Sequence, residues 1–205
     1  MEKSLYDSKA WERLGDSFTN NYEQGMLDFR KNIIDTIIKI KPATLLEIAC
    51  ADGWFIEKLR ASGYPNAYLG VDITPNLIER AKRRMPYERF GIGDAMDLNN
   101  SCLDIVNGES FSFVLCAGIL MHLDNWPKAI LEACRISSEY VMFSTYGTYN
   151  DRGTYRTDDF KNSFINRFFS VTHLMRFVPI KFNLIEFKSF PRKTEYMFQY
   201  LYERM

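Results

Sequence analysis

The strongest constraint on this chain is an alternation along its length. Short apolar runs, each about one strand long, are separated by stretches whose apolar residues recur at helical spacing. Thr44–Cys50 (TLLEIAC) reads as a buried strand, and Gly53–Arg60 as a helix with Phe55, Ile56 and Leu59 on one side. Tyr68–Ile73 is the second strand. Thr74 and Pro75 then open a helix, Thr as N-cap and Pro in the first turn, with Leu77, Ile78 and Ala81 turned inward. Phe90–Asp94 is the third strand, Phe111–Ala117 the fourth, Pro127–Ile136 a helix and Tyr140–Thr145 the fifth strand. An amphipathic helix, Arg30–Ile40, precedes the series, with Ile33, Ile34, Ile37 and Ile38 facing in. Such a β-α-β-α series predicts a mostly parallel α/β sheet, doubly wound, with helices on both faces. The end differs. Phe182–Phe190 and Glu195–Tyr202 are strand-like, and the four residues between them cannot hold a crossover helix, so this pair is predicted to be an antiparallel hairpin. Seven strands are expected in all.

At 205 residues the chain supports one such sheet, and no repeat or linker-like segment marks a second domain, so residues 1–205 are read as a single unit. Its 26 basic and 26 acidic side chains balance, which argues against a nucleic-acid footprint. The longest nearly apolar run, Phe111–Leu123, is too short to cross a bilayer, and the first residues lack the apolar stretch of a secretion signal. A soluble, cytoplasmic protein with no membrane insertion is expected. Four cysteines without CxxC spacing suggest reduced thiols, and two distant histidines leave no basis for a metal site. The unusual quantity is aromatic content, 16 Phe, 12 Tyr and 3 Trp. Strands absorb many of these. Trp11, Phe18 and Tyr22 lie ahead of the first helix, however, and Tyr146, Tyr149 and Tyr155 follow the fifth strand.

In open α/β sheets a ligand lies beyond the carboxyl ends of the strands. The first such loop, Glu47-Ile48-Ala49-Cys50-Ala51-Asp52-Gly53, has small residues at alternate positions, which lets backbone approach a ligand closely. A nicotinamide dinucleotide is disfavoured. Trp54 stands where that fingerprint needs its third glycine, and Glu47 and Asp52 would repel a pyrophosphate. Asp72 closes the second strand, where a carboxylate can take both hydroxyls of a ribose. The loop thus favours a nucleoside that carries positive charge and no phosphate, a description that S-adenosylmethionine fits.

These residues resemble the class I S-adenosylmethionine-dependent methyltransferases, particularly the small-molecule type related to ubiquinone-biosynthesis enzymes, with a Rossmann-like fold. LLEIACADGWFIEKL is similar to the family's acidic, glycine-spaced loop, YLGVDITPNLIERAKRR to its second strand, FGIGDAMDL to its third and FSFVLCAGILMHL to its fourth. The resemblance implies a methyltransferase with S-adenosylmethionine as cofactor, S-adenosylhomocysteine as product and no metal. It also implies roles. Asp72 would hold the ribose, Ile73 would pack on the adenine, and Asp94 with the Ala95 backbone would read the adenine edge. Glu47, Ala49 and Gly53 would shape the methionine pocket, with the Cys116 carbonyl on the ammonium. Trp11 and Tyr22, in an aromatic lid over residues 1–25, would close on the cofactor. Two departures stand out: Ala51 replaces the middle glycine, and Ser112 replaces an Asp.

Acceptor recognition is expected from residues 146–181, through Tyr146, Tyr149, Tyr155 and Arg152, a set suited to a sugar-containing or oxygenated small molecule. His122, beyond the fourth strand, is the candidate general base, since its ordinary pKa suits proton removal near neutrality. His173, in VTHLMRF, reads as a structural residue on a helix face. The alternative is a regulatory protein that binds the cofactor without catalysis, for which Ala51 is the one hint.

Overall fold

The alternation closes into one mixed sheet. The computed structural model describes residues 24–102, 108–149, 155–159, 164–191 and 196–205. Strands β1 (Thr44–Ile48), β2 (Ala67–Asp72), β3 (Arg89–Ile92), β4 (Phe111–Ala117) and β5 (Ser137–Thr148) pair in parallel, in the order β3-β2-β1-β4-β5. Helices α1 (Gln24–Ile40), α2 (Trp54–Ala61), α3 (Pro75–Arg84), the single turn α4 (Leu98–Ser101) and α5 (Trp126–Ile136) lie between or ahead of them. The chain moves one way from β1 to β3 and the other way from β4 to β5. Right-handed crossovers therefore place α2 and α3 on one face and α5 on the other. Leu45, Leu46, Phe113, Val114 and Leu115 are wholly buried, as central parallel strands covered on both faces must be.

The described residues contain nine strands rather than the expected seven. The hairpin is present as β8 (Phe182–Pro191) and β9 (Tyr196–Arg204), antiparallel to each other, with β9 antiparallel to β5. The two additions are β6 (Tyr155–Asp159) and β7 (Phe164–Ser170), an antiparallel pair inside the expected acceptor segment. Their pattern is illegible locally, because YRTDD of β6 is almost wholly polar and FINRFFS of β7, though apolar-rich, does not alternate. What recruits them is an open edge. Pairing of β4 with β5 ends at Ala117↔Ser144, β9 occupies the other side of β5, and β7 joins at Gly147↔Phe169. So β7 occupies the edge that β4 vacates, just beyond the carboxyl ends of the parallel strands.

Much of the aromatic content packs this extension. Trp126 at the start of α5 meets Phe169 of β7 edge-on at 4.9 Å and Phe177 at 4.5 Å, with His173 of α6 (Val171–Met175) at 5.6 Å. Burial, then nearby Arg176, depresses the His173 pKa, in keeping with a packed side chain. At the opposite end of the sheet, Ser112 explains its own departure. Its Oγ accepts the Thr44 amide at 2.8 Å and donates to the Thr44 carbonyl at 2.9 Å, tying β4 to β1. A carboxylate could not make that donation. The four cysteines are buried and none is in a disulfide. No helix among the described residues is long and apolar enough to cross a membrane.

Candidate active site

The strand order reverses between β1 and β4, where an open α/β sheet forms its crevice. β1 stops at Ile48, two residues earlier than expected, because the next residues leave the strand region. Ala49 has φ 63°, Ala51 φ 49° and Gly53 φ 76°. Three left-handed residues at alternate positions curl the backbone into a cradle. Glycine adopts this conformation freely, whereas each alanine bears a strain of about 1–2 kcal/mol. Gly53 is needed twice over, since a Cβ there would also sit 3.2 Å from Ala81 of α3. The cradle is pinned from β2: Asp72 accepts the Ala51 amide at 3.0 Å on one oxygen and the Thr74 amide at 2.9 Å on the other. The Ala51 substitution thus leaves the turn in place.

Two adjoining recesses open at the cradle, sharing Ala49, Asp72 and Ile119. The larger has a volume of about 180 Å³, and its polar lining includes Arg30, Glu47, Trp54, His122 and Tyr146. The smaller is lined by Ile73, Gly93, Asp94, Ala95 and Met96, beyond β2 and β3. Glu47 is 5% exposed and accepts the Tyr68 hydroxyl at 2.5 Å. The β1–β2 register sets Glu47 opposite Gly70. Only a glycine leaves room for the Tyr68 ring to reach across, since a Cβ at 70 would lie 2.6 Å from that hydroxyl. Burial pushes the Glu47 carboxyl up to about 8, against the lowering effects of the Tyr68 hydrogen bond and Arg30. Burial likewise raises Asp72, with its two backbone amides opposing.

Asp52 corrects the electrostatic argument drawn from sequence. Its carboxylate is 2.7 Å from Arg84, which also bonds the Asp52 carbonyl and reaches Glu57 at 3.2 Å. Arg84, half-buried at the end of α3, consequently clamps the loop to that helix. With Asp52 neutralised, the ionic character of the larger recess rests on Asp72, Glu47 and Arg30.

Of the residues singled out in the sequence, Glu47, Ala49, Asp72, His122 and Tyr146 line the larger recess, and Ile73, Asp94 and Ala95 the smaller. One Asp94 oxygen already accepts the Met96 amide at 2.8 Å, so it also shapes its own turn. Cys116 is fully buried and borders neither recess; the wall from β4 is Ala117 and Gly118. Tyr149 is displaced from the expected role. It lies two residues beyond Gly147, on that residue's side of β5, where its ring packs on Tyr196 and Phe198 and its hydroxyl donates to Ser189 at 2.7 Å. Tyr146, on the other side, stacks on Phe168 at 5.5 Å. Trp11, Phe18, Tyr22 and Arg152 lie outside the described residues, as does the side chain of Tyr155.

Arg30, Trp54 and Met197 line the cavity without having been expected there. For Arg30 a signal existed, since it precedes the inward Ile33 and Ile34 by three and four residues. An arginine in line with a buried stripe faces something polar inside.

A family model described as a methyltransferase domain matches residues 19–178. A malonyl-[acyl-carrier protein] O-methyltransferase from Anoxybacillus flavithermus is 29% identical over 155 residues, covering 72% of this chain and 54% of that protein. The chain thus spans about half the length of that relative. Among solved structures, magnesium protoporphyrin IX methyltransferase from Synechocystis, with bound S-adenosylhomocysteine, superposes with a TM-score of 0.71 at 12% identity over 96% of this chain and 94% of its own. An N-methyltransferase from Bradyrhizobium japonicum, in complex with the same molecule, gives 0.71 at 15% over 98% and 99%. At these identities the superpositions establish the shared fold.

Proposed function

The chain belongs to this methyltransferase domain family, and we propose that it is an S-adenosylmethionine-dependent enzyme whose acceptor is a small, oxygenated, ring-bearing metabolite. The observation that carries the proposal is a pair of adjoining recesses with mixed chemistry. Their charged and backbone groups suit a nucleoside bearing an amino acid. The larger also offers apolar surface from Phe29, Ile33, Met121 and Met197, together with His122 and Tyr146.

The donor set fits the cofactor part by part. Asp72 has lone pairs left beyond its two amides for a ribose diol. Asp94 and the Ala95 backbone, in the smaller recess, would meet an adenine edge, with Ile73 on its face. Glu47 answers an ammonium, and a cation beside it would favour its ionised form. Arg30 answers a carboxylate. When bound, the cofactor supplies a methyl group activated by positive sulfur. The protein's own work is alignment and exclusion of water. The apolar wall seats the acceptor ring, and His122 stands on the cleft to take a proton from its hydroxyl.

Calorimetric titration with S-adenosylhomocysteine and with NAD tests the cofactor half, and binding of NAD alone would sink it. The acceptor half is tested by incubating the protein, isotope-labelled S-adenosylmethionine and metabolite extracts, then reading the label by mass spectrometry. Label arriving on acyclic amines or thiols instead of ring-bearing oxygen compounds would refute the acceptor class.

A further inference from the structure

Arg30 is the one lysine or arginine on the cavity wall among the described residues. Its backbone is moored on both sides. Gln199 of β9, 2% exposed, donates to the Phe29 carbonyl at 2.7 Å and accepts from Asn32 at 2.5 Å. Lys188 of β8 donates to the Asn32 side chain at 2.8 Å. This network fixes where the Arg30 side chain begins. It leaves the far end of a long side chain, with about 2 kcal/mol of rotamer entropy, still to be placed.

Trp54 provides the placement. It is the first residue of α2, directly after the left-handed Gly53, and its ring also lines the cavity. The Arg30 guanidinium carbon lies 4.7 Å from the indole centroid, within the range of a cation–π contact. We propose that Trp54 is a positioning residue, whose indole face holds the Arg30 guanidinium against the cavity so that it meets the carboxylate of the cofactor. The proposal rests on the cavity being the S-adenosylmethionine site. It also gives a reason for a large ring at a position where a dinucleotide loop needs glycine. A flat guanidinium stacked beforehand loses less freedom when it engages a carboxylate, so preorganisation appears as affinity. Lys58 lies 5.8 Å from the same ring, but it is paired with Glu57 at 3.5 Å and does not line the cavity.

The test titrates the full chain with S-adenosylhomocysteine and with its decarboxylated counterpart, S-adenosyl-3-thiopropylamine, by calorimetry. Trp54→Leu should weaken S-adenosylhomocysteine about three- to thirtyfold and leave the decarboxylated ligand unchanged. Trp54→Phe, which keeps a ring and guards against a folding defect, should show a smaller loss with the same selectivity. In an Arg30→Gln background, Trp54→Leu should change neither affinity. Equal weakening of both ligands by either Trp54 variant, or a Trp54→Leu effect that persists undiminished without Arg30, overturns the proposal. Failure of the unmodified chain to bind S-adenosylhomocysteine would instead overturn the cofactor reading.

Discussion

Replacing Ala51 with glycine should stabilise the protein, which is the reverse of the usual sign for that substitution. Ala51 is held at φ 49°, where its Cβ crowds the following carbonyl at a cost of about 1–2 kcal/mol. Glycine removes that strain but loses more chain entropy on folding, about 0.5–1 kcal/mol. Ala51 is only half-buried, so losing its methyl group forfeits about half of the roughly 0.8 kcal/mol that a fully buried carbon contributes. The balance favours Ala51→Gly by about 0.5 kcal/mol, and the same reasoning applies to Ala49 at φ 63°. The double variant should gain about 1 kcal/mol, which for a chain of this size raises Tm by about 2–4 °C. Ala61 is the control, because it is exposed in the last turn of α2 and glycine there costs up to about 1 kcal/mol. Thermal and urea unfolding of the three variants would give the comparison. If Ala51→Gly lowers stability as the Ala61 control does, the strain argument is wrong. Affinity for S-adenosylhomocysteine should hold, since Asp72 already pins the loop in this conformation.

Asp72→Ala should weaken S-adenosylhomocysteine binding by about 1–3 kcal/mol and lower Tm as well, because the Ala51 and Thr74 amides lose their acceptor; an unchanged dissociation constant removes Asp72 from the site. Burial raises the Glu47 carboxyl from its ordinary 4.5 to about 8, so the folded state keeps a proton that the unfolded chain gives up. Stability of the ligand-free protein should therefore fall as pH rises from 4.5 towards 8, by up to about 1.4 kcal/mol per pH unit, and Glu47→Gln should flatten that slope in urea melts. Parallel pH profiles for both proteins would refute it. Ser112→Asp should cost about 1–3 kcal/mol, by burying a carboxylate that cannot donate to the Thr44 carbonyl, yet leave cofactor affinity alone. A large change in affinity would mean that the two ends of the sheet are coupled.

The parallel core was legible because each element satisfies a local rule. β1 to β4 are apolar runs bounded by loops, and Thr74-Pro75 starts α3 where its chemistry says a helix starts. The short link at 191–194 forced an antiparallel pair, and β8 and β9 are one. The strand ends followed too, which put Asp72, Ile73 and Asp94 on the ligand side of the sheet, while their expected roles, like that of Glu47, came from the family resemblance. β6 escaped because YRTDD has no strand pattern of its own, and β7 because FINRFFS does not alternate and pairs at an edge that exists only after β4 stops short of β5.

Side-chain roles divide along the same line. Tyr146 and Tyr149 both follow the strand end expected at Thr145, and only the continuation of β5 to Thr148 brings Tyr146 to the cavity, while Tyr149 just beyond it packs on Phe198. Nothing local pairs Arg84 with Asp52, brings the Tyr68 hydroxyl to Glu47, or lays Arg30 on Trp54. Periodicity and turn chemistry act over a few residues, so they are written in the order of the amino acids. Burial, charge pairing and register sum over segments far apart in the chain, 32 residues for Arg84 and Asp52, and they take values only once those segments are packed. That is why the small-residue loop after β1 and the acidic ends of β2 and β3 could be read from local sequence, whereas the side chains that complete the charge balance around them emerged from the fold.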